Sequence, residues 1–597
     1  MRRFNVLTLT FLFAVGICHA QLGTATISGA VTDSSGAAVV GAAIGAVNTE
    51  TGFRRQTVAN AIGQYNLPGL APGQYNLTIE HQGFKKAQQK GLTLQVDQNA
   101  RIDIGLEVGQ VSESIEIQGA APLVETEAAA LGAVVDMHKI LALPLNGRNF
   151  AQLAFLVPGV NTGSGGGGAE GFSAAGLRAD QNAFQIDGTS NSDSFQGRIT
   201  VRPNIDAIQE FKIQTNNYSA EFGKGGGAQV NVITKSGGKE FHGGLWEFVR
   251  NDAFQARRFF DTNRRAFPCN PSDPNLALRA ACAPPFHQNQ YGFNLGGPMF
   301  LVPKSQGERK TFFFTTYEAF RQSRGNATLA TVPSVAQRNG DFSQNLLTAT
   351  TVADATGRTF RRGQIFDPRS SRAVTDAAGR ARFVRDPFVN NVIPQSQRDP
   401  AAVKILADTT FVPLANITGS TGSNGNPSNN FQDGRSVTSN SDQFSARLDH
   451  QFSPNDTVFG RFSWQDSNAY SPNTFPGFGT VDNQRQVNLT VSYTKVLNPT
   501  MVNEFRLGYQ GWFQIGAVSE DYLAGQDYMT KFAIQGLEYA PKAGLLGSPT
   551  FAVTGFSGWG NGTGPNFTRN HTFQPLEILS FNRGKHFMKV GGELRTV

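Results

Sequence analysis

The sequence predicts a mainly β protein: an N-terminal β-sandwich, a mixed α+β middle segment, and a partial antiparallel transmembrane β-barrel of about nine strands. Three observations predict it. Beyond residue 239, segments near ten residues long alternate apolar and polar side chains, which is the period of a strand with two different faces. The connections between them alternate short and long, as in an outer-membrane barrel with tight turns at one rim and loops at the other. After the N-terminal leader no run of 18 apolar residues occurs, so a membrane crossing has to be made with strands.

The leader comes first. Arg2 and Arg3 precede an apolar stretch from Val6 to Ile17, and Cys18-His19-Ala20 stands before Gln21. A charged start, a short apolar region and a small residue at the end describe a signal peptide over residues 1–20, cleaved after Ala20. Bulky Ile17 argues against lipid attachment at Cys18. Export leaves two of the three cysteines, Cys269 and Cys282, flanking "NPSDPNLALRAA". A close pair in an oxidising compartment is expected to form a disulfide. Charged residues make up 16% of the chain, below the ~25% usual for soluble proteins. The net charge of +7 is spread without a basic run, which gives no indication of nucleic acid. The eight histidines form no His-Glu-x-x-His; Cys-x-x-Cys and Gly-x-Ser-x-Gly are also missing. No catalytic, cofactor-binding or metal-binding residue is therefore assigned, and the chain is not expected to be an enzyme.

Residues 22–118 read as short strands separated by turn chemistry at Asp33-Ser34-Ser35-Gly36 and Ala71-Pro72-Gly73. Tyr75, Leu77 and Ile79 alternate as in a half-buried strand. Residues 119–238 mix elements. Asp136 is placed to cap a short helix through Leu141, and "NFAQLAFLVPGV" reads as a second helix stopped by Pro158. "AFQIDG" (183–188) and "IDAIQEFKIQTN" (205–216) read as strands. The segment ends in "AEFGKGGGAQVNVITKSGG", where Gly225, Gly226 and Gly227 precede a strand and Lys235-Ser236 follows it. A phosphate loop needs the reverse order, glycines and then Gly-Lys-Ser/Thr opening a helix. The glycines instead read as a plug turn, bare backbone where side chains are crowded.

Strands in the last segment are expected near 241–250, 286–297, 309–320, 441–452, 457–467, 485–496, 501–513, 571–581 and 585–597. The connections after the second, fourth, sixth and eighth are short; those after the first, third, fifth and seventh are longer. The faces follow from the period of two. Phe444, Leu448, Phe462, Val491 and Leu507 are expected on the lipid side, with Arg447, Asp449, Arg461, Glu504 and Arg506 on the lumen side.

Two resemblances add to this reading. The pattern Gly29-x-Val31-x-Asp33-x-x-Gly36-x-x-Val39-x-Gly41-Ala42, with Gly63-x-Tyr65 and Pro72-Gly73-x-Tyr75, resembles the carboxypeptidase regulatory-like domain and implies a seven-stranded sandwich without catalysis. The stretches "IDAIQEFKIQTNNYSAEFGKGGGAQVNVITKSG", "EFHGGLWEFVRND" and "QYGFNLGGPM…KTFFFTTYEAF" resemble TonB-dependent outer-membrane transporters of the Oar-like kind. The resemblance implies a plug domain over 119–238, the first part of an outer-membrane barrel over 239–597, and location in the outer membrane. Its implied partners are outer-membrane lipid, an inner-membrane TonB energising complex and an unidentified extracellular ligand, for which carbohydrate is one candidate; nucleic acid is not among them. The candidate TonB box is Ser114-Ile115-Glu116-Ile117, which reads equally as the last strand of the sandwich. Such barrels have about 22 strands, so the nine strands here are expected to belong to a C-terminally truncated fragment, or to a sheet completed by oligomerisation. The rival class is an exported adhesin or carbohydrate-binding protein that uses the sandwich and the long loops.

Overall fold

The computed structural model describes residues 23–109, 114–118, 130–162, 171–193, 197–223, 225–255, 285–303, 309–347, 351–422, 426–536, 546–560, 566–583 and 586–597. The leader and both Cys269 and Cys282 lie outside the described residues.

The sandwich has two sheets. Strand β1 (Ala25–Asp33) pairs with β4 (Gln64–Leu70) and with two short strands, β7 (Asn99–Arg101) and β8 (Ile104–Leu106). The second sheet runs in the order β3 (Arg54–Val58), β2 (Ala43–Asn48), β5 (Gly73–Glu80), β6 (Lys86–Leu94), β9 (Ser114–Gln118). Among the described residues the count is thus nine short strands rather than the expected seven. The first sheet's edge is broken into two pieces, and a ninth strand adds to the second sheet. Alternation along β5 buries Tyr75, Leu77 and Ile79 between the sheets. The Asp33 carboxylate accepts from the backbone N–H of Ser35 (2.8 Å) and Ala37 (2.9 Å), which closes the expected turn. Gly29 is required by close approach, because a Cβ there would meet the Ile102 carbonyl oxygen at 1.8 Å.

The middle domain holds a five-stranded sheet in the order β10 (Leu131–Asp136), β15 (Ile208–Asn216), β16 (Gln229–Thr234), β13 (Ala183–Ile186), β14 (Thr189–Ser190). Two further strands, β11 (Val160–Thr162) and β12 (Phe172–Ala174), pair beside it. Asp136 caps helix α1 (Met137–Ala142), accepting from the Lys139 N–H at 3.0 Å. The second expected helix is one of 3₁₀ type, Phe150–Leu156, whose Phe150 packs edge-on against Phe211. Its apolar side completes a core with Phe184, Ile213, Val230 and Val232.

Nine antiparallel strands follow, each pairing with the next: β17 (His242–Asn251), β18 (Phe286–Pro298), β19 (Thr311–Gly325), β20 (Ser436–Ser453), β21 (Asp456–Ser471), β22 (Thr480–Asn498), β23 (Met501–Ser519), β24 (Asn566–Arg583) and β25 (His586–Glu593). Among the described residues β17 and β25 form no pairing with each other, so the sheet is an unclosed partial barrel. Leu448, Phe462, Val491 and Leu507 are exposed on the outer face and Phe444 is half-buried. Arg461, Glu504 and Arg506 are buried on the inner face, with Arg447 and Asp449 beside them. The last strand ends at Glu593 and not at Val597, although Leu594 and Thr596 still donate to the carbonyls of Pro575 and Phe573.

The sorting of connections by length is less clean than expected. Strands β21 and β22 run on past the apolar segments, so their connection, 472–479, is shorter than the one at the opposite rim, 299–310. The loops at the 472–479 rim also build their own core. Phe411, Phe475, Phe478, Phe532 and Trp559, drawn from three connections, pack together, with Phe411 within 5.2 Å of both the Phe478 and Phe532 rings.

Candidate functional site

The middle domain lies against the inner face of the barrel sheet, and the contact is mainly polar. Its centre is the link between β13 and β14. Ile186 pairs with Thr189, leaving Asp187-Gly188 as a two-residue turn, and both turn residues have positive φ (48° and 76°). Asp-Gly suits such a turn, because Asp tolerates this region and Gly has no Cβ to clash. The "AFQIDG" stretch is therefore a strand only as far as Ile186. The turn aims the Asp187 carboxylate at the wall. Arg461 Nε donates to it at 2.7 Å and Arg447 Nη1 at 3.2 Å, while Thr234 donates both its N–H (2.9 Å) and its hydroxyl (2.8 Å). Burial raises the Asp187 carboxyl, but Arg447, Arg461 and the Thr234 hydrogen bonds outweigh it and hold the group below the ordinary carboxylate range. Arg506 reaches the Asp187 carbonyl at 3.3 Å and is itself paired with Glu504. Thr189 meets Thr490 at 2.6 Å, the Ser190 N–H donates to Gln574 at 2.7 Å, and Gln510 donates to the Ser192 carbonyl at 2.9 Å.

The glycine triplet serves the same domain internally. A Cβ on Gly225 would meet the Gln181 carbonyl at 2.2 Å, and one on Gly227 would meet Asn182 Oδ1 at 2.6 Å. The crowding comes from the domain's own residues 181–183, not from the barrel wall. None of the three has positive φ, so close approach and not a left-handed turn explains Gly225 and Gly227, while a Cβ on Gly226 would meet only the tip of Leu177, at 3.3 Å.

The sandwich sits at the rim of short turns. Thr57 donates to the Pro499 carbonyl at 2.8 Å and Arg55 to that of Pro454 at 3.3 Å. Burial lowers the Arg55 guanidinium to about 10. The sandwich also touches the middle domain: Val96 N–H donates to the Glu210 carboxylate, and Asn231 donates to Asp97 at 3.2 Å. Burial, with Asp97 nearby, pushes Glu210 up to about 8. The segment Ser114–Gln118 is the edge strand β9, parallel to β6, with Ser114 beside Lys86 and Ile117 beside Gln89.

At the opposite, loop-bearing rim, a cavity of about 530 Å³ opens between the middle domain and the inner wall. Residues 146–149, Gln152, Asp193, 198–200 and 202–204 form its floor, and the loop-side halves of β18 to β23 form its wall. Arg148 spans the two, bound to Asp206 and, at 3.1 Å, to Glu318. No cluster of three or more metal-ligating side chains occurs among the described residues.

Family models match the chain along most of its length: a carboxypeptidase regulatory-like domain at 26–107, a TonB-dependent receptor plug domain at 127–230, and an outer membrane β-barrel domain at 233–597. The chain belongs to the TonB-dependent outer-membrane transporter family. It is a plug-and-barrel protein of the outer membrane, and the family is one of transporters and not an enzyme class. A 197-residue stretch is 31% identical to the TonB-dependent transporter Oar of Myxococcus xanthus, covering 32% of this chain and 18% of that protein. Similar solved structures include the outer membrane transporter YddB of Escherichia coli, with 10% identity and a TM-score of 0.42 over 76% of this chain and 45% of that one. A mutant ferric enterobactin receptor of Pseudomonas aeruginosa gives 11% identity and a TM-score of 0.34, over 79% and 59%. The chain thus spans less than a fifth of the curated relative and under half of YddB.

Asp187 and the cavity were not singled out by the sequence reading, which placed Arg447, Arg461 and Arg506 on the lumen side without a partner. The signal for the first was the Asp-Gly dipeptide; the cavity has no local signal.

Proposed function

We propose that this chain takes part in active import: an extracellular ligand binds in the cavity between plug and wall, and pull from an inner-membrane energising complex displaces the plug. The observation that carries the reading is the polar mounting of the plug. Ion pairs and hydrogen bonds hold it to the wall, the ligand cavity lies at the loop rim, and the pulling segment leads off at the other. Within this reading Ser114-Ile115-Glu116-Ile117 is the grip for the energising protein. Among the described residues it is an edge strand, and an edge strand offers backbone groups that a partner strand can take up. Residues 1–20 are removed on export, residues 22–118 act as a periplasmic module, and Cys269 and Cys282 close a disulfide in an extracellular loop.

The test is a comparison of spent medium from the native host, from a strain lacking this gene, and from a strain lacking the energising protein. Import predicts at least one compound that the first depletes and both others leave. If every compound taken up through this protein is still taken up without the energising protein, the proposal fails. An adhesin would show surface binding equal in all strains that carry the gene.

A further inference from the structure

The sandwich grips two bodies at once. On its barrel side the edge strand β3 presents Arg55 and Thr57 to two consecutive turns of the rim. Thr57 donates to the Pro499 carbonyl, in the β22–β23 turn, and Arg55 to that of Pro454, in the β20–β21 turn. The Glu50 carbonyl also accepts from the N–H of Lys239 at 3.1 Å, on the segment that joins the plug to β17. On its plug side, residues 95–98, between β6 and β7, lie against the plug strands β15 and β16. Val96 N–H donates to the Glu210 carboxylate, Lys212 donates to the Asp97 carbonyl at 3.4 Å, and Asn231 to the Asp97 carboxylate at 3.2 Å. The Gly23 N–H holds that carboxylate in place at 2.8 Å. One packed core, from Ala25 to Leu106, ties the two grips together. The plug therefore cannot part from the wall unless one grip opens.

Two observations say which one opens. The first is Arg55. It is fully buried, and among the described residues it forms no ion pair. Its acceptors are the carbonyls of Pro454 and Gly69, both at 3.3 Å, its Nε has no partner, and the Phe53 ring lies 5.0 Å away. A buried charge compensated so poorly is better served by water, so the wall grip carries its own opposition to seating. The second is the line of pull. Ser114–Gln118 is a strand of the sandwich paired with β6, and β6 runs directly into residues 95–98. A pull on that strand reaches the plug through the plug grip. The wall grip, on β3 at the opposite edge of the same sheet, lies off that line. We propose that the sandwich is a releasable clamp: seated, it locks the plug to the barrel rim, and it leaves the rim with the plug still attached. The pull rests on the import reading; the clamp is testable without it.

The experiment uses the full chain in detergent. Thr57→Cys/Pro499→Cys puts a thiol pair across the wall grip, and Asp97→Cys/Asn231→Cys puts one across the plug grip. Each pair is closed with a short bifunctional thiol reagent, and hydrogen exchange is read at amides 183–193, where the plug faces the wall. Closing the wall pair is expected to slow that exchange about tenfold or more against the same variant left open, because the opened state is removed. Closing the plug pair should leave it within about twofold, because the sandwich already travels with the plug. Thr57→Val should speed it about 3- to 10-fold, the value of one lost hydrogen bond. Arg55→Met should slow it, since the packing of the stem stays and the buried charge goes. The parent treated with the same reagent gives the background from Cys269 and Cys282, and thermal melting checks that each variant folds. Unchanged exchange with the wall pair closed, or in folded Thr57→Val, overturns the clamp. Equal slowing by the two pairs, or faster exchange in folded Arg55→Met, overturns release at the wall. In cells, the wall pair should cross-link less in a strain that has the energising protein than in one that lacks it. Equal yields beside the expected exchange results would remove the pull and leave the clamp standing. A difference in yield with unchanged exchange would do the reverse.

Discussion

Asp187→Asn removes one negative charge from the plug–wall contact and almost no volume. Arg461 is the side chain that suffers. It is fully buried, and its other partners are neutral: Ser463 at 2.9 Å, with Asn488 and Thr490 each at 2.7 Å. Arg447, by contrast, keeps Asp449 at 2.8 Å. Breaking a buried ion pair from one side costs about 3–5 kcal/mol, because the remaining charge stays buried without compensation. The lower figure applies here, since asparagine still accepts one hydrogen bond. About 3 kcal/mol corresponds to roughly a 150-fold shift of the docking equilibrium. Native-state hydrogen exchange reads it directly. Amides of 183–193 and 229–234 should exchange on the order of 100-fold faster in the variant, while those of the sandwich core stay unchanged. In Asp187→Asn/Arg461→Gln the orphaned charge is gone, so the double variant should be less damaged than the sum of the singles by at least about 1.5 kcal/mol. Exchange within twofold of the parent, or strict additivity, would refute the claim that this pair holds the plug. The pH dependence has a definite sign. A carboxyl depressed in the folded state stabilises fully above its unfolded value, near 4, and that contribution is lost only as pH falls through the folded value. Docking by Asp187 should therefore be flat from pH 5 to 8 and weaken in stronger acid.

Glu210 behaves in the opposite sense: raised to about 8, it stabilises most below its unfolded value near 4.3 and progressively less up to pH 8. Melting temperature should decline across that window, and Glu210→Gln should flatten the decline; an identical pH profile in the variant would exclude the assignment. Leu448→Arg puts a charge on the lipid face at a cost of up to about 2–4 kcal/mol and should reduce membrane assembly. Ser445→Arg, on the inner face where Ser445 meets Ser463 at 2.8 Å, should assemble; equal defects measured by heat-modifiable mobility would reverse the face assignment. Cys269 and Cys282 should resist alkylation in the non-reduced folded protein, and the bridge should contribute roughly 3 kcal/mol in the chain-entropy model; full labelling of both excludes it. N-terminal sequencing of the exported protein should begin at Gln21, and a retained Met1 would exclude the cleavage.

The barrel's faces were legible because a period of two is a local property: Leu448 against Arg447, or Leu507 against Arg506, needs no knowledge of the partner strand. The lengths were not. Strand β20 begins at Ser436, yet Ser436 to Gln443 is polar on both faces apart from Val437, so nothing in the pattern separates strand from loop there. The connection at 472–479 was overestimated for the same reason. The Asp187-Gly188 turn was hidden by the continuous run "AFQI", and β9 was ambiguous because its parallel pairing with β6 is a tertiary contact. The cavity was wholly illegible. Its lining is drawn from positions 146 to 512, each ordinary in its own neighbourhood.

The distribution of apolar contact bears on how the plug can move. Its own core, from Val135 to Val232, is made by plug residues alone. The inner wall facing it is lined by groups such as Arg461, Asn488, Thr490, Glu504, Gln510 and Gln574. Displacing the plug as a body therefore exchanges protein hydrogen bonds for water hydrogen bonds, at about 0.5–1.5 kcal/mol each, and uncovers little apolar surface. Apart from the Arg148–Glu318 ion pair at the loop rim, two features break this pattern. Phe222 packs on Leu576 and Ile578, a small apolar patch between plug and wall. The Asp187 cluster is the other, and its buried charges make it the steepest part of the path. A pull that first releases Asp187 from Arg461 meets its main resistance at the start and weaker resistance afterwards, which is how a latch behaves. The alternative, a plug that unravels strand by strand, would have to break β15–β16 pairing and expose Phe211, Ile213, Val230 and Val232. Four such side chains cost about 1.5–3 kcal/mol each to expose, more than the latch itself, so movement as a body is favoured as long as Asp187 is the group that yields first.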